Sequence, residues 1–391
     1  MLAVLGTAAT GAVAGCNALE DSSDPEPFHD GDWHSYGNSP QNASHVEGGV
    51  PAPDEHTQIL PAQWQYAPPV VYEDIVYFAA DRQVTAVTPD GAEQWSRRLE
   101  TPVSGAPALD PTRGRLYVPT RIRRPSSEPA QGSAAMTILA LSDGEVVDTY
   151  RVGDRRTYGA TVVSGDVYAR SATACVRLGP DGTERWRQPL EALSYEEYRL
   201  GDDTATQVAP AVTDDGVYVP DYDSLVKLDP ASGEERWRVP VDTPYAASVV
   251  GDSIVQTGWQ ETVAVEPSGD VRWRRDLSSR AAAAVAADGD VYVVAGDLHE
   301  LDAETGETNW QAHVPTENTA APVVTDENVL VECEDLRAFR REANGLLGPE
   351  RERWRVSSVQ GATLSSPVIA AGRAFIVGAT GLVALRSTEN A

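Results

Sequence analysis

The three cysteines carry the most reactive side chains in the sequence. Cys16 closes the run Val13-Ala14-Gly15-Cys16 at the end of a small, apolar N-terminal stretch that is too short to span a bilayer. This run resembles a lipobox, so we predict a signal segment at residues 1–16 and lipid attachment at Cys16. Cys175 and Cys333 are far apart and lack CxxC or Cys/His spacing. We therefore predict two buried, unpaired thiols at these positions.

Catalytic and metal-binding residues do not form a recognisable arrangement, since the sequence contains no GxSxG, HExxH or P-loop motif. The turns Asp229–Glu234 and Asp302–Glu307 could offer oxygen ligands to Ca²⁺. Their recurrence at one place in a repeat instead favours a structural turn, in which Asp accepts backbone N–H groups and Gly takes a positive φ. We therefore predict no catalytic, cofactor-binding or metal-binding residue. Four histidines are predicted to be solvated: His29, His34, His45 and His56.

Loops that contain arginine and aromatic residues are the best candidates for binding, because these residue types are enriched at interface hot spots. Two long insertions, at 121–133 and 191–207, extend from connections that the repeat described below places on one face. Ordinary variation of surface loops is the alternative explanation for the insertions. The candidate partner-binding residues are Arg121, Arg123, Arg124, Tyr195, Tyr198, Tyr222, Asp223 and Trp259.

A repeated unit of about forty residues must position these loops. Two examples are APAVTDDGVYVPDYDSLVKLDPASGEERW, which ends at Trp237, and AAAAVAADGDVYVVAGDLHELDAETGETNW, which ends at Trp310. Each unit has a small-residue strand, a Val-Tyr-Val strand, an alternating Leu-x-Leu strand and a strand with Trp. Period-two alternation bounded by Gly, Asp and Pro indicates strands. Four strands per unit predict an all-β propeller with four-stranded antiparallel blades.

Eight aromatic positions in the fourth strands predict eight blades. The last unit has no fourth strand of its own, and Trp64 precedes the first complete unit. We therefore predict that an N-terminal strand, Gln63–Tyr66, closes the ring by completing the last blade. The aromatic side chains are predicted to pack on neighbouring blades: Trp64, Trp95, Tyr150, Trp186, Trp237, Trp273, Trp310 and Trp354. The arginines that flank four of these tryptophans are predicted to be structural.

The charge of the chain is strongly negative, with 59 acidic residues against 31 basic ones and a formal net charge of −28. Lys227 is the only lysine. Molar salt shortens the Debye length to about 3 Å and so removes most of the self-repulsion of such a chain. We therefore expect an extreme halophile. A surface this negative also argues against binding to nucleic acid.

Three regions are predicted along the chain: the signal segment, a polar tether at 17–58 and the propeller at 59–387. The tether is rich in Asp, Ser, Pro, Gly, Asn and His, a composition typical of an extended arm. Within it, Asn42-Ala43-Ser44 forms a glycosylation sequon in a plausible surface setting, although such triplets are common by chance.

The repeat Ala-Pro-x-Val, Val-Tyr-Val, Leu-x-x-Leu-Asp-x-x-(Ser/Thr)-Gly-Glu, Trp resembles the pyrroloquinoline-quinone (PQQ) repeat. The resemblance is clearest at 209–237 and 291–310, and it covers nearly all of 59–387. It implies a propeller of one of two kinds. Quinoprotein dehydrogenases hold PQQ and Ca²⁺, typically with a Trp and a disulfide of adjacent cysteines. Scaffolds similar to the outer-membrane assembly factor BamB have no cofactor and bind proteins.

No two cysteines are adjacent in this sequence, and the insertions that could build a deep pocket are few. We therefore expect a non-enzymatic scaffold of haloarchaeal type, anchored by lipid to the outer side of the cytoplasmic membrane, that binds a protein or an extended polymer. Two alternatives remain. One is a PQQ-dependent quinoprotein dehydrogenase. The other is a carbohydrate-binding propeller, in which Trp259 and Tyr222 would be stacking platforms.

Overall fold

Eight antiparallel β-sheets form the blades of a propeller, as predicted. The computed structural model describes residues 28–61, 67–121, 133–154, 156–193, 208–242, 245–277, 283–314, 320–333, 335–341, 351–356, 365–378 and 381–388. In this part of the chain the only helix is one 3-10 turn, Pro111–Arg113. No helix of the described residues is long and apolar enough to cross a membrane.

The strands follow the chain from blade to blade. Before blade 1 lie β1 (His45–Val46) and β2 (Glu55–Pro61). Blade 1 contains β3 (Val70–Tyr72), β4 (Ile75–Ala80), β5 (Gln83–Val87) and β6 (Glu93–Arg98). Blade 2 contains β7 (Ala108–Asp110), β8 (Arg115–Arg121), β9 (Ser133–Ala140) and β10 (Val146–Asp154). Blade 3 contains β11 (Thr157–Val163), β12 (Asp166–Ser171), β13 (Ala174–Leu178) and β14 (Glu184–Pro189).

Blade 4 contains β15 (Ala211–Val212), β16 (Val217–Asp221), β17 (Ser224–Leu228) and β18 (Glu235–Pro240). Blade 5 contains β19 (Ser248–Val250), β20 (Ser253–Thr257), β21 (Glu261–Val265) and β22 (Val271–Asp276). Blade 6 contains β23 (Val285–Ala287), β24 (Asp290–Ala295), β25 (Asp297–Asp302) and β26 (Thr308–His313). Blade 7 contains β27 (Val323–Thr325), β28 (Asn328–Glu332), β29 (Leu336–Arg340) and β30 (Glu352–Val356). Blade 8 contains β31 (Val368–Ala370), β32 (Arg373–Gly378), β33 (Gly381–Arg386) and the distant β2.

Burial differs between the inner and outer strands of a blade. The second strand of a blade, such as β16, is buried along its whole length between neighbouring blades. The fourth strand, such as β6, buries only its tryptophan and exposes its other side chains. One-sided burial of this kind is expected of the outermost strand in a blade.

In the described part of the chain, an aromatic contact recurs at seven of the eight boundaries between blades. The indole N–H of Trp95 in blade 1 donates to the Leu141 carbonyl in blade 2 at 2.8 Å. The same bond joins Trp186 to Pro230 at 2.9 Å. Trp237, Trp273 and Trp354 donate to the carbonyls of Pro267, Ala303 and Val50. The Tyr150 hydroxyl donates to Pro180 O, and Trp310 stacks edge-on against Phe339.

The ring closes through an N-terminal strand, but not through the predicted segment. Strand β2 pairs antiparallel with β33, from Glu55 opposite Arg386 to Pro61 opposite Gly381. The prediction of Gln63–Tyr66 as this strand was therefore wrong, and Trp64 lies outside the described residues. Ile59 is buried on β2 and packs against Gly91 of blade 1, the contact that tryptophans make elsewhere.

Residues 28–50 fill the centre of the ring, where the sequence predicted a polar tether. Their backbone bonds to the first strands of blades 1, 2, 4, 5 and 7 and to the turn after β31 in blade 8. Trp33 is fully buried in this segment. Tyr36 packs among Ala67, Ala106, Ala209 and Ala246, the small residues that precede or begin first strands. We name residues 28–50 the axial segment, because sparse apolar anchors and backbone pairing hold it along the propeller axis.

Asn42 is one of these anchors and lies in the sequon. Its side chain is buried, and its amide donates to the carbonyls of Ala209 at 2.9 Å and Ala247 at 3.3 Å. The expectation of a surface setting for this sequon was therefore wrong. A glycan on this nitrogen is incompatible with the packed axis.

Candidate partner-binding faces

The propeller has two faces with different connections. The turn face carries the turns between first and second strands and between third and fourth strands. The link face carries the turns between second and third strands and the links between blades. The axial segment contacts the first-to-second turns of blades 7 and 8, so it enters and leaves the ring on the turn face.

On the link face, a buried arginine joins blades 3 and 4. The Arg170 side chain donates to Pro220 O at 3.0 Å and to Glu191 O at 2.6 Å, and it lies 3.7 Å from the Asp221 carboxylate. Its guanidinium also lies 5.9 Å from the centre of the Tyr158 ring. Full burial of an arginine requires such a set of acceptors. The link face is thus rigid at this boundary.

Arg156 lies on the same aromatic ring. Its guanidinium is buried and 5.7 Å from the centre of the Tyr158 ring. Arg121, a predicted partner-binding residue, ends β8 and forms a backbone bridge with Arg156. The link face therefore concentrates arginine between blades 2 and 3, in a chain whose net charge is negative.

The predicted residues of blades 4 and 5 also lie on the link face and are connected through the backbone. Val241 N donates to Asp223 O at 2.9 Å, and Trp259 N donates to Asp242 O at 2.7 Å. Asp223 is exposed, whereas Tyr222 and Trp259 are half-buried. The Trp259 side chain is therefore partly packed and partly accessible. The other predicted residues, Arg123, Arg124, Tyr195 and Tyr198, lie outside the described residues.

Sequence analysis missed Arg170 and Arg156 as members of this face. Arg170 follows Val-Tyr-Ala in β12, at a position where the second strands of most other blades carry an uncharged residue. A charged residue in a fully buried strand indicates a built polar contact. That departure from the repeat could have identified Arg170.

The repeated acidic turns are structural, as predicted. Asp229 accepts from Ala231 N and Ser232 N at 2.9 and 2.8 Å, and Gly233 has φ 74°. Asp302 accepts from Glu304 N and Thr305 N at 3.0 and 2.8 Å. The bond from Arg236 is the main cause that holds the pKa of Asp229 well below its usual range. These carboxylates are occupied by the turn itself.

Tryptophan-flanking arginines are also structural. Arg238 donates to the carboxylates of Asp221 at 2.6 Å and Glu235 at 2.9 Å. Arg274 donates to Pro240 O at 2.7 Å and pairs with Glu261. These bonds connect the outer strands, which carry the arginines, to inner strands and to neighbouring blades.

Both described cysteines are buried and free, as predicted. Burial raises the pKa of the Cys175 thiol to about 12, which keeps it protonated at neutral pH. The described residues contain no group of three His, Cys, Asp or Glu side chains that could hold a metal ion.

Known proteins share both the fold and the repeat. The structure of BamB from Moraxella catarrhalis aligns with a TM-score of 0.62 at 15% identity, over 85% of this chain and 98% of that one. Quinohemoprotein alcohol dehydrogenase from Comamonas testosteroni aligns with a TM-score of 0.64 at 13% identity, over 90% and 80% of the two chains. Such identities establish the fold alone.

Sequence comparison is more specific. The outer membrane protein assembly factor BamB of Alteromonas naphthalenivorans is 32% identical over 129 residues, which span 32% of this chain and only 27% of the relative. The family model described as outer membrane protein assembly factor BamB matches residues 163–265 and 259–389, more than half of the chain. The chain therefore belongs to this family of PQQ-like β-propellers.

Proposed function

We propose that this protein is a non-enzymatic scaffold that binds another protein through the faces of its propeller. The observation that carries the proposal is the filled axis. A cofactor site needs a concave cavity, and the central channel is the natural cavity of a propeller. Trp33, Tyr36 and Asn42 occupy that channel with the chain's own side chains. The exposed faces then remain as the surfaces for binding.

Family membership supports a role in assembling or holding other proteins, because the matched family is described by an assembly factor. The link face is our first candidate surface, with its arginines between blades 2 and 3 and Trp259 in blade 5. Lipid at Cys16 would hold the scaffold on the outer side of the cytoplasmic membrane. Replacement of Cys16 by Ser should then move the protein from the membrane fraction to the soluble fraction.

Calorimetry with PQQ and Ca²⁺ in molar KCl tests whether the protein binds the cofactor of the quinoprotein dehydrogenases. We expect no heat of binding up to millimolar PQQ. Saturable, stoichiometric binding that requires Ca²⁺ would refute the scaffold proposal and direct the search to alcohol and sugar substrates.

Cross-linking in the native membrane, followed by mass spectrometry, tests the binding role. We expect a reproducible protein adduct that Trp259→Ala reduces several-fold. Asp252→Ala, in the first-to-second turn of the same blade, is the matched control on the turn face and should leave the adduct unchanged. Equal loss in both variants, or no adduct with the wild type, would contradict a link-face scaffold. Thermal unfolding of each variant shows whether the fold is intact.

A further inference from the structure

A cavity of about 550 Å³ opens on the turn face between blades 1 and 2. Tyr72, Glu73, Tyr77 and Trp95 line it from blade 1. The turns of blade 2, including Leu141, form the opposite wall. We name this cavity the first slot. It lies away from the link face and from every residue used above as a candidate for binding.

Blade 3 shows what fills the equivalent space elsewhere in the ring. Arg177 lies between Tyr168 and Trp186 in strand register. Its guanidinium covers the Tyr168 ring at 5.4 Å from the centre and pairs with Asp166. It also donates to Pro230 O of blade 4 at 2.7 Å, the carbonyl that already accepts the Trp186 indole. The cation therefore links two blades.

Blade 4 repeats this arrangement with the only lysine of the chain. Lys227 lies between Tyr218 and Trp237 in register, and its ammonium is 5.6 Å from the centre of the Tyr218 ring. It pairs with Asp215 and donates to Pro267 O of blade 5 at 3.1 Å. A guanidinium and an ammonium thus occupy the same kind of space.

At the boundary between blades 6 and 7, the cations that cover the aromatic rings of blade 6 come from blade 7. Arg341 of blade 7 lies 5.8 Å from the centre of the Tyr292 ring and pairs with Asp288. Arg351 lies 4.8 Å from the centre of the Trp310 ring and pairs with Glu300. Three boundaries therefore place a cation over an aromatic ring beside a carboxylate, the combination that makes cation–π contacts favourable.

Blade 1 has the aromatic and acidic parts of this arrangement but lacks its cation. The residue between Tyr77 and Trp95 in register is Ala86, where blades 3 and 4 carry Arg177 and Lys227. Leu141 O accepts the Trp95 indole and no second donor among the described residues. The Glu73 carboxylate stands at the rim, where its charge contributes to the raised pKa of Tyr77.

Two arginines also belong to the wall of the first slot, and one of them already has a carboxylate partner. Arg113 pairs with Asp110 at 3.0 Å. Arg115 acts on the pKa of Tyr117 and Tyr150, whose hydroxyl bonds to blade 3. Both arginines belong to blade 2, so neither takes the position over the Tyr77 ring that Arg177 and Lys227 take in their own blades.

We propose that the first slot binds an arginine or lysine side chain of a partner protein, in the position that Arg177 and Lys227 occupy in blades 3 and 4. The partner's cation would cover the Tyr77 ring, donate to Leu141 O and pair with Glu73. The proposal rests on the proposed scaffold function, for which it names a second contact surface and the chemistry of the partner.

The test uses the whole propeller and three blocked tripeptides, acetyl-Gly-Arg-Gly-amide, acetyl-Gly-Lys-Gly-amide and acetyl-Gly-citrulline-Gly-amide. Citrulline matches arginine in shape and lacks its charge. Saturation-transfer NMR should detect binding of the arginine and lysine peptides at millimolar concentration, with citrulline at least ten-fold weaker. Equal binding of citrulline, or no binding of the charged peptides, would overturn the proposal.

Three variants locate the site. Ala86→Arg should fill the slot and reduce binding at least ten-fold, and Glu73→Gln should reduce it several-fold. Lys227→Ala should create a second slot in blade 4 and raise the stoichiometry from one to two. Undiminished binding by a folded Ala86→Arg protein, together with unchanged stoichiometry in Lys227→Ala, would place the peptide elsewhere and refute the slot.

Failure of this test is distinct from failure of the scaffold function. A membrane cross-link that Trp259→Ala removes and Ala86→Arg leaves intact would retain the scaffold and contradict the first slot as a contact surface. Binding of PQQ with Ca²⁺ would contradict the scaffold without affecting the peptide measurement.

Discussion

A glycine in the turn of one blade receives the aromatic side chain of the blade before it. A Cβ atom built on Gly144 would lie 2.4 Å from the Trp95 ring, and the backbone there has φ 66°. Gly233 makes the same contact with Trp186. Docking of one blade on the next therefore requires a glycine in the turn as well as a tryptophan on the neighbouring blade.

Gly144→Ala should lower the free energy of unfolding by about 2–3 kcal/mol, from ring overlap plus the left-handed backbone. Gly372→Ala is the matched control, because φ is 65° and no atom lies within 4 Å of the added Cβ. It should cost only about 1 kcal/mol. Urea unfolding measures both, and equal losses would show that backbone strain alone sets the cost.

The acidic turns predict a pH dependence. Hydrogen bonds, chiefly from Arg236 to Asp229 and from Thr305 to Asp302, lower the pKa of both carboxyls in the folded state. A lowered folded pKa means that the stabilisation is present above the unfolded value and is lost as pH falls through the folded value. The double variant Asp229→Asn, Asp302→Asn should therefore lose less stability than wild type below about pH 4.

Urea midpoints between pH 6 and pH 2.5 check this expectation. Asp252→Asn changes an exposed turn carboxylate that makes no hydrogen bond with the described residues, and it should follow the wild-type curve. A double variant that also follows the wild-type curve would contradict the role given to the two turns.

At the scale of elements, the axial segment is held by backbone pairing with the blades and by isolated side-chain anchors such as Asn42. Asn42 donates to two carbonyls from neighbouring blades. Asn42→Ala should cost about 2–3 kcal/mol, because both buried acceptors lose their donor. Asn38 is the matched control: it has the same sign of φ, 63° against 54°, but its side chain makes no such bond in the described residues. A loss in Asn38→Ala as large as in Asn42→Ala would refute this account.

Sequence patterns predicted the regular elements and failed at the irregular ones, for physical reasons. Short apolar runs bounded by turn residues identified strands such as β16, whose side chains are all buried between neighbouring blades. Strand β2 pairs with a strand over 300 residues away, and no turn fixes that register. The closing strand was therefore predicted from the position of Trp64, which indicated the wrong segment. The axial segment has no period, since Trp33 and Tyr36 are isolated anchors in a polar stretch.

The candidate site was less predictable than the fold. Repeat positions placed Tyr222 and Trp259 on the link face, because their turns follow from strand order. The first slot depends on Ala86, an ordinary small residue in an ordinary strand. Only comparison with Arg177 and Lys227 at the same register makes that alanine informative.

At the scale of the whole molecule, charge predicts the response to salt. Ion pairs such as Arg238 with Asp221 weaken in salt, but pairs that are partly exposed are worth at most about 1 kcal/mol each. A net charge of −28 creates repulsion over the entire surface, and salt screens it. We expect the melting temperature to rise by about ten degrees or more between 0.1 and 2 M KCl.

Differential scanning calorimetry in KCl measures this rise, with choline chloride at equal ionic strength as the control for screening alone. A melting temperature that falls or stays constant with salt would show that the ion pairs outweigh the net repulsion.

Closure through β2 and β33 joins residues that are more than 300 positions apart. Glu55 bonds to Arg386 and Asp54 to Thr388, so the residues at the start of β2 and the end of β33 form one seam. The seam cannot form until β33 has been synthesised, and until then β2 lacks its partner strand. The ring therefore closes late in folding, because the two paired strands are separated by almost the whole propeller.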